Sequence, residues 1–156
     1  MAPPPQLLLL DLYVTSQLAG SLIEHELKGS GLTAEEFALA SVLGHEEELT
    51  PTELAARLGI PLSSAIFRVS KLIERGHAER RRNPRDRRSA LLALTDEGRA
   101  AHARARPAFT RVLERVRQHL ERSPEEVQLA LRALAAAVSA ALAEVKDEEL
   151  IRSRAA

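Results

Sequence analysis

Between Arg57 and Arg88 the chain carries nine Arg and one Lys against Glu74, Glu79 and Asp86, a local net charge of +7, although its 22 basic and 22 acidic residues cancel overall. Such a cluster can hold a polyanion. Guanidinium groups donate in a planar fork that matches phosphates and base edges, and a basic patch on an otherwise acidic chain marks a polyanion-facing surface better than the overall isoelectric point does. Bond-making chemistry is not indicated. There is no nucleophile elbow, no phosphate-binding glycine loop and no dinucleotide fingerprint. Ser63-Ser64 has no His at a spacing that would set one alongside. An enzyme is therefore not expected, and no cofactor either.

The elements that position this charge can be read locally. Thr50 as N-cap, Pro51 at the first helical position and Glu53 closing a capping box open a short helix, with Leu54, Ala55 and Leu58 on its apolar side and Gly59 ending it. After a turn, Leu62, Ala65, Val69, Leu72 and Ile73 recur at helical spacing up to Gly76. This is a helix-turn-helix pattern. Residues 77–82 and 89–94 then read as strands around Asn83-Pro84 and Asp86, with Leu92 and Leu94 pointing inward together. A hairpin appended to a helix-turn-helix makes a winged helix. With Ala65, Val69, Leu72 and Ile73 turned inward, the second helix leaves Ser63, Ser64, Phe67, Arg68, Lys71 and Arg75 on or near its outer face. The two serines suit phosphates or base edges, Arg68 suits guanine, and Lys71 and Arg75 suit phosphates. Phe67 either touches a thymine methyl or tucks sideways into the core.

The order of these pieces resembles the MarR family of bacterial transcriptional regulators. The most specific text is Asp86-Arg87-Arg88-Ser89 followed by Leu92, Leu94-Thr95 and Gly98, similar to that family's D-R-R…L-T-x-x-G pattern. The resemblance covers nearly the whole chain in element order, with its strong motifs between Thr50 and Gly98. It implies a homodimer on a palindromic operator in double-stranded DNA, commonly released by a small ligand, and repression rather than activation. It also implies that Arg88 enters the minor groove while Asp86 holds its guanidinium. Asp86 as a turn-former only is the alternative. Arg82, Arg85 and Arg87 join the same basic wing, the latter two neutralising phosphates.

The expected fold is mainly α with a small β wing. It is read as one domain (1–156), with dimerisation helices at 6–32 and 96–152 around a DNA-binding lobe at 33–95. After a proline-rich stretch at 1–5, a helix from Gln6 to Lys28 carries two apolar stripes where one would cover its own domain, which points to a partner chain. Thr33 to Glu36 caps a helix to about Leu43, followed by an acidic loop from Gly44 and, at Leu49, a very short third strand. Thr95 caps a helix to about Glu121 with a bend or local break at Pro107. Ser123 to Glu126 opens another reaching at least Val145.

The chain has no Cys, which excludes disulfides and a cysteine redox switch. With no basic n-region at its start and only a short apolar run at Leu7–Leu10, the expected location is the cytoplasm, with no membrane partner. By resemblance, an effector pocket lies between the dimerisation helices and the winged lobe. Tyr13, Gln17, His25, Phe37 and Phe109 are its candidate lining, and a phenolic or other lipophilic effector would suit it. Two alternatives keep DNA binding: a constitutive or architectural factor without ligand response, and a metal-responsive repressor. Against the second, His25, His45, His77, His102 and His119 are scattered, none with a partner His at i+4.

Overall fold

The computed structural model describes residues 7–155. It runs α1 (Leu8–Leu27), α2 (Ala34–Glu46), α3 (Pro51–Leu58), α4 (Leu62–Glu74), β1 (Ala78–Arg82), β2 (Ala90–Leu94), α5 (Asp96–Gln118) and α6 (Pro124–Ala155). This is the expected mainly helical chain with one antiparallel wing. It divides into two compact units, residues 1–114 and 115–156. The proline-rich stretch and Gln6 lie outside the described residues.

In the first unit, two capping boxes fix where helices begin. The Thr33 hydroxyl accepts from the Glu36 N–H at 3.2 Å while the Glu36 carboxylate accepts from the Thr33 N–H at 2.9 Å, and Thr50 and Glu53 repeat the pair at 3.3 and 2.8 Å. Gly59 ends α3 in the left-handed region at φ 64°, which glycine adopts without steric cost. Leu39 and Leu43 of α2, Leu54 of α3, Val69 and Leu72 of α4, and Leu92 and Leu94 of β2 form the main core. A second cluster joins Leu27, Leu32 and Phe37 to Ala101, Ala105 and Ala108 of α5. Those small residues let α5 lie close against its neighbours.

In the wing Ala78 pairs with Leu94, Arg80 with Leu92 and Arg82 with Ala90. Leu49 adds the expected single bridge, exchanging N–H···O bonds of 3.1 and 2.7 Å with Leu92.

Three features differ from the sequence reading. Helix α2 continues through Gly44 to Glu46. Leu43 is buried against the core, and the Arg57–Glu46 ion pair (2.7 Å) ties the last turn to α3. Together these outweigh the ~1 kcal/mol helix penalty of glycine. Helix α5 runs through Pro107 without a local break; Pro107 is exposed, where water can satisfy the carbonyl left without its intrahelical donor. It then ends at Gln118 rather than near Glu121.

In the second unit Ser123 and Glu126 form the capping box foreseen for α6 (3.0 and 3.2 Å). By length and composition alone, 124–153 would pass for a membrane-crossing helix. Leu129, Leu131, Val138, Leu142, Val145 and Ile151 along it are exposed, as are Leu8, Leu9, Leu10, Tyr13, Val14 and Leu18 on α1.

Candidate nucleic-acid interface

Helix α4 turns Ala65, Val69 and Leu72 into the core. Ser63, Phe67 and Lys71 are exposed and Ser64 half-buried, in an N-terminal stretch free of acidic residues. Phe67 stands in solvent, which settles its orientation against the core. The Lys71 ammonium lies 4.5 Å from its ring centroid, a cation–π pair that steadies both side chains. Arg68 reaches back to Glu35 of α2, with Nη2 3.1 Å from Oε1.

Arg75 does something else. Its Nη1 donates to both Glu36 oxygens (2.7 and 2.6 Å) and its Nη2 to the Gly31 carbonyl (2.5 Å). Arg75 thus clamps the end of α4 to the start of α2. The signal was hidden because Glu36 already had a role as a capping residue.

Burial would push the Glu36 carboxyl up. The Thr33 N–H, the Arg75 guanidinium and the Thr33 hydroxyl outweigh burial and hold it below the usual carboxylate value. A depressed folded value gives stability that is present above the unfolded value near 4.5 and lost as pH falls through the folded one. Glu36→Gln should cost about 1–2 kcal/mol at pH 7, discounted for the half-exposed arginine. Urea unfolding at pH 7 and at pH 3.5 checks this, and the gap from the parent should shrink at the lower pH.

The wing tip is built by two side-chain turns. Asn83, itself buried, donates from Nδ2 to the Ser89 hydroxyl (2.8 Å) and accepts from the Arg85 N–H (2.9 Å). The Asp86 carboxylate accepts from the Arg88 N–H at 2.9 Å. Asp86 thus holds the backbone of Arg88, as a turn-former does. Arg82, Arg85, Arg87 and Arg88 are all exposed around this tip. Arg81 is engaged instead by Glu48 (2.9 Å) and Glu79 (2.6 Å), which ties the wing to the loop after α2. Sequence reasoning had read Asn83 only as turn chemistry, and its side-chain bracket across the hairpin was missed.

The five candidate effector residues fall in two settings. Phe37 and Phe109 do meet, with ring centroids 4.8 Å apart, but Phe37 is buried in the second core cluster. Tyr13, Gln17 and His25 are exposed on α1. A cleft of about 840 Å³ lies elsewhere in the first unit, where Ser41, His45, Glu48, Arg99, His102 and Arg106 are among its walls. At its edge the Ser41 hydroxyl donates to the Phe37 carbonyl (2.7 Å) and pairs with His102 Nε2 (2.9 Å), so Nε2 carries the ring proton. Burial, with the Arg106 charge second, pushes the His102 pKa down. Among the described residues no three His, Cys, Asp or Glu side chains gather to hold a metal ion.

This geometry can be set beside known proteins. A profile of the MarR family matches residues 30–89. The transcriptional repressor CouR, solved bound to a 23-mer DNA duplex, is 31% identical with a TM-score of 0.71, over 81% of this chain and 89% of that one. The chain belongs to the MarR family. Another MarR-type relative is the HTH-type transcriptional repressor YetL of Bacillus subtilis (strain 168), 30% identical over 95 residues. That match covers 60% of this chain and spans only 57% of the relative's length. The M. tuberculosis regulator MOSR, solved in complex with DNA, is 25% identical with a TM-score of 0.76, over 84% of this chain and 95% of that one. These relatives are transcriptional regulators, a non-enzymatic family, in line with a MarR-family chain that carries no catalytic motif.

Proposed function

We propose that this chain is a homodimeric, sequence-specific DNA-binding transcriptional repressor. Each copy sets α4 into the major groove and its wing along the neighbouring minor groove of a pseudo-palindromic operator. The observation that carries the reading is a single compact unit presenting both an outward α4 face and a rigid tip of exposed arginines. CouR and MOSR, related by sequence and fold, were solved on DNA. Ser63, Ser64, Phe67, Arg68 and Lys71 would face the major groove, and Arg82, Arg85, Arg87 and Arg88 the minor groove and its phosphates. The exposed apolar residues of α1, and separately those of α6, are what a second copy would cover. Release by a small effector belongs to the proposal. The cleft's charged walls fit a polar, ionised ligand better than the lipophilic one expected from sequence. A regulator of this kind works where the DNA is, in the cytoplasm of a prokaryotic cell.

Selection from a random duplex library tests the proposal. It should enrich a pseudo-palindrome with half-sites roughly 10 bp apart, bound with a log–log salt slope of about −0.9 per neutralised phosphate. Sedimentation should find dimers at working concentrations. Failure to enrich any duplex, or single chains only, would overturn it.

A further inference from the structure

Three large apolar side chains stand exposed on α4: Leu62 at 44%, Ile66 at 41% and Phe67 at 61%. At 100° per residue, the direction set by Ala65, Val69 and Leu72 puts Phe67 almost diametrically outward and Ile66 about a quarter-turn from the core. Helical side chains lean toward the N-terminus, so both cover the opening turns around Ser63, the end of α4 that enters a groove. Lys71 lies against one face of the Phe67 ring, leaving the rest of the ring to a partner. Lys71 stands against this pair, and the same unit carries the exposed Arg82, Arg85, Arg87 and Arg88 on its wing. A partner that meets these charges and the apolar pair together is both anionic and locally apolar. A duplex meets both conditions in the major groove, where the thymine C5-methyl is the apolar group that base pairs present.

We propose that Ile66 and Phe67 form a methyl-reading pair that selects thymine at neighbouring positions in each half-site. The inference rests on the DNA-binding reading above and deepens it, giving part of the sequence preference to apolar contact rather than to arginine–guanine hydrogen bonds alone.

The test replaces each thymine of the selected duplex in turn by deoxyuridine, which removes the methyl and leaves every base-pairing and groove hydrogen-bonding group in place. At the contacted positions affinity should fall about fourfold per methyl, the factor that burying one such group corresponds to. Substituting both half-sites should weaken binding about sixteenfold. Phe67→Ala and Ile66→Ala should melt like the parent, since both side chains are exposed. Each variant should bind thymine and uracil duplexes alike at the position its side chain reads. Equal affinity of the parent for thymine and uracil duplexes at every position would overturn the proposal. So would a uracil penalty that survives in both variants. A parent protein that retains no duplex at all would overturn the DNA-binding reading itself, and the methyl reading with it.

Discussion

Gly98→Ala is expected to destabilise the chain by about 2 kcal/mol and to lower its melting temperature by roughly 4–8 °C. Gly98 is a buried residue in the first turn of α5, and its backbone needs no left-handed conformation. What the position lacks is room. A Cβ there would overlap the His77 carbonyl oxygen and lie 2.7 Å from the His77 carbonyl carbon and 3.0 Å from its Cα. Those atoms are backbone, so no rotamer change relieves the contact. They are also tied from several sides. The Thr95 N–H donates to the His77 carbonyl at 3.1 Å, the His77 N–H to the Leu72 carbonyl at 2.8 Å, and the Thr95 hydroxyl to the Gly76 carbonyl at 2.6 Å while accepting from Gly98 N–H at 3.0 Å. The end of α4, the start of β1 and the start of α5 thus meet on one hydrogen always smaller than a methyl. Alanine's helix propensity favours the substitution by ~1 kcal/mol, but overpacking against backbone costs several times that at its upper range, so the clash decides the sign. Thermal and urea unfolding of the variant beside the parent would measure it. A variant melting at or above the parent would mean that this three-element junction yields easily.

That glycine shows how much of the structure was legible in the sequence. As a letter in the L-T-x-x-G text it supported a resemblance, but its reason, the His77 carbonyl, appears only when the chain closes on itself. The capping boxes at Thr33, Thr50 and Ser123 were readable because both partners sit within one turn. The helix-turn-helix and wing followed from periodicity and turn residues that are equally local. The Arg75 clamp was not legible because its partner Glu36 is 39 positions away, and an arginine after a helix reads the same whether it faces phosphate or carboxylate. The contact between Phe37 and Phe109 was hidden for the same reason: an aromatic beside apolar residues can line a pocket or fill a core, and their meeting across α2 and α5 appears only in the fold. The cleft with His102 and Arg106 had no sequence signal, since its walls come from α2, the loop after it, both wing strands and α5, each ordinary on its own.

The largest expected effect on binding is that of Arg88→Ala, about a hundredfold loss of operator affinity with an unchanged melting temperature. Arg88 is exposed, and its backbone is held by the Asp86 carboxylate, so its removal should leave the fold intact. The proposed arrangement puts one such side chain in a narrow minor groove at each half-site, where negative potential is concentrated. A hydrogen bond made by a charged group is worth about 1.5 kcal/mol at the low end. The dimer loses it twice, and each ~1.4 kcal/mol is a factor of ten. Losing two phosphate-neutralising charges should also flatten the log–log salt slope by about 1.8. Arg88→Lys should restore the slope but only part of the affinity, because an ammonium carries the charge without the planar donor fork. Asp86→Ala should fall between Arg88→Ala and the parent, since it keeps the guanidinium and frees the backbone that aims it. The contrast with Arg75→Ala separates the two arginine roles. Breaking the Glu36 clamp should lower the melting temperature while leaving the salt slope as steep as in the parent. Fluorescence anisotropy over a salt series, paired with thermal melts of the same four variants, distinguishes these patterns. An Arg88→Ala protein that binds as tightly as the parent at every salt concentration would take the wing out of the mechanism and leave α4 to carry recognition alone.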